Sequence, residues 1–423
     1  MICLAGFILI LTGCGLTFSY GVYQALYEAM AKTPSTPFTG ASSAEIDLIG
    51  TLAISLMTML GPFVSAGCKL YHPRYIVIGG AFVFSMGLFL ASVSEKTWQF
   101  MITQGIIVGI GTSMVFIPAV TVSPTWFDKR RGLALGVIVS GTGIGGVIWA
   151  PTIRAMNAAV GFRNALRITA AISLMLLSAG GYAMDWEPGY RRTISISTSR
   201  RRRFRLFDIP LVNWRIARSR KFLVQAVGAV LQSAAYAVPL FFYASYATAL
   251  GYSESTSASF IAISNAANFI GKIAIGYAAD RLGRLNILFA TTLISAVSVL
   301  GFWLPSVLAT DGRAQRGLFI AFTILYGAFA SAYTSLFPAS IIDLFGVQNF
   351  ASVNGALYMI RGMATLVGTP TAGLMIPRSE ALTSPSKYQD TAVMVGVLYI
   401  AATLAAAWVR IEMRTEGSWK WKA

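Results

Sequence analysis

Three cysteines, one histidine and 16 acidic residues are all that this 423-residue chain offers of the groups that most often do chemistry. Cys3, Cys14 and Cys68 stand in or beside apolar runs with no paired spacing, so neither a disulfide framework nor a thiolate metal site is indicated. His72 is alone and the acids are scattered, which argues against a membrane-embedded enzyme; no catalytic residue, metal or cofactor is expected. No Gly-rich loop ending in Lys-Ser/Thr is present, so the chain is not expected to be its own ATPase. Charge of any kind is scarce, at 12% of residues, against about 25% in soluble domains. That is too little to cover a water-facing surface.

What the chain has instead is apolar length. Hydrophobic residues make up 56% of it, in runs that recur from end to end. Each run is about 20 residues, enough to cross a hydrocarbon core of about 30 Å as a helix. A barrel would need alternating strands of about 10 residues, whereas these runs are continuous and rich in Gly and Ala. Twelve spans are expected at roughly 2–27, 46–68, 74–94, 97–122, 131–153, 164–184, 221–248, 256–279, 285–307, 316–341, 351–376 and 391–411. The first run starts at Met1 without the basic region of a signal peptide and reads as a retained helix. The absence of a tail before it raises a truncated N-terminus as an expectation.

The formal charge of +17 might point to nucleic acid, but the excess lies in short loops between apolar runs, where basic residues set membrane orientation. With the N-terminus cytoplasmic, the inner loops carry Lys69, Arg74, Lys129, Arg130, Arg131, Arg281, Arg284, Arg410, Arg414, Lys420 and Lys422. The central segment adds Arg191, Arg192, Arg200–Arg203, Arg205, Arg215, Arg218, Arg220 and Lys221. The outer loops hold fewer, which favours both termini in the cytoplasm. The expected organisation is a six-helix bundle over 1–184, a basic cytoplasmic linker over 185–220 and a second six-helix bundle over 221–423 with a short tail. The linker's arginines either orient the chain or bind anionic lipid, at about 1 kcal/mol per basic residue near the surface.

The halves read as weak repeats. Gly61 and Gly67 lead into a basic loop from Lys69 to Arg74, and Gly271 and Gly276 lead into Asp280–Arg284. Repeated halves of this kind hold a substrate near the midplane and work by rocking. The second loop, Gly276-Tyr-Ala-Ala-Asp280-Arg281-Leu-Gly283-Arg284, resembles the cytoplasmic loop signature of the major facilitator superfamily. In the first loop Lys69, Leu70 and His72 stand where that family usually has Asp, Arg and Gly.

Trp126-Phe127-Asp128-Lys129-Arg130-Arg131-Gly132-Leu133-Ala134, followed by Gly136, Gly141, Gly145, Gly146 and Pro151, resembles the loop between helices four and five of fungal monocarboxylate-transporter-like proteins. Ser19-Tyr20-Gly21-Val22-Tyr23-Gln24, Gln104-Gly105, the stretch Asn265 through Asn286, Asn354-Gly355 and Gly368–Gly373 extend the resemblance over nearly the whole chain. It implies an all-α membrane fold of two pseudo-symmetric six-helix bundles. It also implies movement of small organic solutes, often carboxylates and often with a proton, across a plasma membrane. Exporters of secondary metabolites and carriers of vitamins also belong to this family. The chain departs from the pattern twice. The acidic-glycine-aromatic motif of helix one is absent. Asn268 and Lys272 replace the Asp and Arg that animal monocarboxylate carriers place in helix eight.

A charge inside a membrane is expensive and usually faces a bundle interior or a wet cavity. Lys272 and Arg361 are such charges, while Glu28, Asp47, Glu95 and Asp185 fall near span ends. Two cations with no acid at equal depth suggest an anionic solute, against the plainer reading that each satisfies carbonyls or snorkels. Asn265, Asn268 and Lys272 share one helix face, as do Asn354, Tyr358 and Arg361; Gln232, Tyr236 and Tyr243; and Tyr20, Gln24 and Tyr27. Polar stripes of this kind line a cavity or bond a neighbouring helix, and the glycines are expected chiefly to pack helices. The loops at Asp128, Lys129, Arg130 and Arg131 and at Asp280, Arg281 and Arg284 are the expected gates. The leading reading is a secondary transporter of a small organic anion by alternating access. The alternatives are a secondary-metabolite exporter, a carrier of a vitamin-like aromatic solute and, lower, a transporter-like sensor.

Overall fold

Hydrocarbon offers no partner for a bare amide or carbonyl, so a spanning chain must satisfy its backbone within itself. The computed structural model describes residues 1–192, 212–376 and 384–415, and among these there is no strand. Arg200–Arg203 and Arg205 of the linker, Arg378, and Lys420 and Lys422 of the tail lie outside the described residues.

The described residues form twelve membrane-length helices. Helix α1 is Ile2–Ala31, and α2 is the pair Ser43–Met59 and Gly61–Leu70, bent by 46°. Then come α3 (Pro73–Val93), α4 (Thr97–Trp126), α5 (131–160) and α6 (162–182). The second half holds α7 (Arg220–Ala249), α8 (Glu254–Leu282), α9 (Arg284–Leu308), α10 (312–345), α11 (347–374) and α12 (Gln389–Thr415). Two boundaries need glycine. The α5–α6 corner turns on Gly161 at φ 77° and the α10–α11 corner on Gly346 at φ 75°, a region that L side chains rarely enter. Starts are capped by side chains. Ser42 and Glu45 form a capping box on α2, Ser219 accepts from the Phe222 amide of α7, and Asp311 accepts from Arg313 and Ala314 of α10.

The chain resolves into two compact units that do not follow the sequence halves. One comprises Met1–Lys129, Val137–Asn213 and Phe345–Gly362; the other comprises Arg130–Gly136, Trp214–Leu344 and Met363–Ala423. Each unit therefore takes in one segment from the far half of the sequence.

Within each unit, helices pack backbone to backbone through glycine, as small residues permit in a membrane. In the first unit, a Cβ on Gly111 of α4 would stand 2.4 Å from the Phe84 amide nitrogen of α3, and one on Gly145 of α5 would stand 2.6 Å from the Leu11 carbonyl of α1. In the second, a Cβ on Gly271 would stand 2.5 Å from the Ala328 carbonyl, and one on Gly368 2.5 Å from the Ala234 carbonyl. Aromatic clusters fill the wider gaps. Tyr27 stacks on Phe38 at 4.1 Å in the first unit, and Trp303 on Phe322 at 5.2 Å in the second.

Gly111→Ala is expected to destabilise the folded protein by about 1–3 kcal/mol, because the methyl meets main chain that has no rotamer to yield. Gly21→Ala, with nothing within 4 Å of its Cβ, is expected to be neutral or slightly stabilising. Thermal midpoints of the two variants in one detergent measure the difference.

Candidate functional site

The first unit's polar stripe on α1 turns out to be largely occupied with holding helices. Tyr20 is buried, its hydroxyl donates to the Ile46 carbonyl of α2 at 2.6 Å, and its ring fills the space beside Gly50. Tyr27, fully buried, donates to Gln104 Oε1 of α4 at 2.9 Å. Gln24 is half-buried and donates to Glu28 and to Asp47 at the start of α2.

The α11 stripe lies deeper. Asn354 is fully buried and donates through Nδ2 to Thr121 Oγ1 of α4 at 3.0 Å. One turn on, Tyr358 is buried edge-on to Phe116 of α4, with ring centroids 5.5 Å apart. The guanidinium of Arg361 lies 5.3 Å from the Tyr358 ring centroid and is 5% exposed, a cation–π distance. Arg361 is therefore a buried cation with an aromatic partner and not the bare charge that the sequence alone presents.

In the second unit, α8 carries Asn265 half-buried, Asn268 buried and Lys272 1% exposed. Lys272 also engages a neighbouring group. On α7, Gln232 is fully buried and Tyr236 half-buried. The Tyr236 carbonyl accepts from Tyr326 of α10 at 3.0 Å, and the Tyr326 hydroxyl lies 3.0 Å from that of Tyr399 on α12. The hydroxyl network thus ties α7, α10 and α12 together. This polar core was legible only in its α7 members.

The loop residues separate sharply. Asp128, Lys129, Arg130 and Arg281 are exposed, and Arg281 lies over the Tyr277 ring at 4.6 Å. Asp280, Arg284 and Arg131 are brought together. Asp280 accepts from the amides of Gly132 and Leu133 at 2.8 Å each, capping the start of α5 with a carboxylate where the helix dipole is positive. Arg284 bonds Asp280 at 3.2 Å and reaches Asp343 at 2.8 Å, and Arg131 stands 4.0 Å from the same Asp343. Glycine makes the approach possible. A Cβ on Gly276 would stand 2.5 Å from the Gly132 carbonyl, and one on Gly136 2.4 Å from the Lys272 carbonyl.

Asp343 is the functional candidate that sequence reasoning missed. The apolar run ends at about residue 341, so Asp343 looked like loop, whereas α10 continues past it to 345. The available signal was an acid placed to continue that helix and facing an excess of arginine.

Asp343→Asn is expected to destabilise the protein by about 1–3 kcal/mol, since it weakens charge-assisted bonds to a mostly buried arginine. Arg281→Gln, on an exposed side chain, is expected to stay within about 0.5 kcal/mol of the parent. Thermal unfolding in detergent reads both.

Comparison with known proteins agrees with this architecture. The Major Facilitator Superfamily profile matches residues 5–313. An MFS-type transporter of Gibberella moniliformis is 28% identical over 412 residues, spanning 96% of this chain and 90% of the relative. An agnestins efflux protein of Paecilomyces divaricatus is 26% identical, spanning 98% of this chain and 88% of the relative. Among solved structures, the proton:xylose symporter XylE, bound to 6-bromo-6-deoxy-D-glucose, shares the fold with a TM-score of 0.69. It is 13% identical, with 95% of this chain and 94% of that one covered. The chain belongs to the Major Facilitator Superfamily, and it is a multi-pass membrane transporter and not an enzyme.

Proposed function

We propose that this transporter exports a small organic secondary metabolite of the kind fungi secrete. The observation that carries this reading is end-to-end likeness to fungal transporters, one of them named an efflux protein. This favours the exporter over the short-chain monocarboxylate porter that the sequence motifs first put forward.

In the second unit the proposed substrate contacts are Asn265, Asn268 and Lys272 on α8 with Gln232 and Tyr236 on α7; in the first unit they are Asn354, Tyr358 and Arg361 on α11. Aromatic faces and a few oriented polar groups suit a ring-bearing solute. Buried cations at Lys272 and Arg361 favour one that carries an anionic or strongly accepting group. A membrane helix retains such charges at considerable expense, which is a reason to assign them work. Tyr20 and Gln24 are assigned to helix packing and to the end of α1, on the strength of their bonds. Coupling to a proton, if the substrate moves with one, runs through Lys272 in this reading. The excess of Lys and Arg in alternate loops supports cytoplasmic termini and anionic lipid against the basic linker, and a plasma membrane setting is proposed from the family resemblance alone.

The test is flux in reconstituted vesicles. Labelled polycyclic acids, aromatic vitamin-like solutes and short monocarboxylates are offered with and without an imposed pH gradient. Saturable movement of a polycyclic or aromatic acid is expected, with Lys272→Gln lowering its rate at least tenfold. Flux confined to short monocarboxylates would return the porter reading. Full pH-dependent flux in Lys272→Gln would rule out coupling through that lysine.

A further inference from the structure

The segments that each unit takes in from the far half of the sequence are held by unlike chemistry. Residues 130–136, at the start of α5, lie on α8 in the second unit. A carboxylate there receives two amides at 2.8 Å, and Arg284, Asp343 and Arg131 brace it. Residues 345–362, at the start of α11, lie on α2 in the first unit. The backbones there are just as close. A Cβ on Gly61 would stand 2.7 Å from the Gly355 carbonyl, and one on Gly362 2.6 Å from the Ser55 carbonyl.

The polar contact at that second place is of opposite sign. Lys69, in the last turn of α2 at the position that corresponds to Asp280 of α8, reaches Ser352 Oγ at 2.9 Å. Residues 69–74 contain no acid. An ammonium on a hydroxyl makes one bond where the carboxylate makes two, and it reaches a side chain in the second turn of α11, not the free amides of a helix start. His72, two residues beyond Leu70, has turned to other work. Its Nε2 lies 2.9 Å from Asp185, just past α6.

A second observation points the same way. Asn354, next to Gly355, is fully buried, and its Oδ1 has no protein partner among the described residues. The segment as packed therefore leaves a side-chain carbonyl oxygen unmet, a penalty that is relieved when it loosens. The α5 segment carries the opposite balance, with its first free amides capped.

We infer that the two held segments release unequally: residues 345–362 loosen from α2 first, and residues 130–136 stay clamped on α8 until Asp280 lets go. A transport cycle that separates the two sequence halves must free both, so the order of release is built into the charges at 69 and 280. This order does not depend on which solute is carried.

Hydrogen exchange of the full chain in nanodiscs, read by mass spectrometry, tests it. In the parent protein, amides of 130–136 should exchange at least tenfold more slowly than those of 350–356. Asp280→Asn should raise exchange at 130–136 at least tenfold and leave 350–356 and the α3–α4 peptides unchanged. Lys69→Asp should slow 350–356 at least fivefold by restoring an anion there. Equal protection of the two segments in the parent would overturn the inference. So would unchanged protection in Asp280→Asn, or Lys69→Asp without slowing. If Asp280→Asn does not fold, the parent and Lys69→Asp measurements still decide the matter.

Discussion

In hydrocarbon, apolar side chains gain nothing by leaving the solvent for one another, so helix association depends on how closely backbones can approach. That constraint governs the glycine contacts within both units. Gly111 meets the Phe84 main chain, Gly145 meets Leu11, Gly271 meets Ala328 and Gly368 meets Ala234, each at a separation that a single methyl would violate. The same closeness puts the start of α5 within reach of Asp280, because Gly276 and Gly132 touch through their backbones. The charged cluster of Asp280, Arg284, Asp343 and Arg131 therefore depends on the glycines beneath it. Without them the carboxylate could not meet two amides at once.

Charge is the scarce quantity in this chain, and where it is buried it has been given partners. Arg361 lies over Tyr358, Arg284 bridges two carboxylates, and Lys69 ends on Ser352. A cation paired in the absence of substrate can exchange that partner for a ligand group at modest expense, because the charge is never left bare. This bears on Lys272 and Arg361, whose engagement with protein groups is compatible with a role in holding an anionic solute.

Much of the fold was legible from hydropathy alone. Twelve runs of span length map onto twelve helices, and the gaps at 154–163 and 342–350 contain Gly161 and Gly346, where the backbone turns. The polar stripes were legible by period but not by partner. Nothing in the spacing of Tyr20 distinguishes a pore-facing hydroxyl from one given to the Ile46 carbonyl, because both satisfy the same helical face. Phe38 belongs to the aromatic cluster of Tyr27 and Phe100, yet it sits in a Pro- and Thr-rich stretch that reads as plain loop. Asp343 pairs with Arg284 across 59 positions of sequence, a separation that local patterning cannot bridge. The Asp280 loop was recognised because its residues are contiguous.

The central claim is outward movement of a ring-bearing organic metabolite. The most direct measurement is metabolite profiling of medium and cells from the source organism, with the chain present and deleted. The account predicts that deletion moves one class of polycyclic or aromatic acids from the medium into the cells and that re-expression reverses the shift. An unchanged partition of every such metabolite, together with lost uptake of short monocarboxylates, would contradict it.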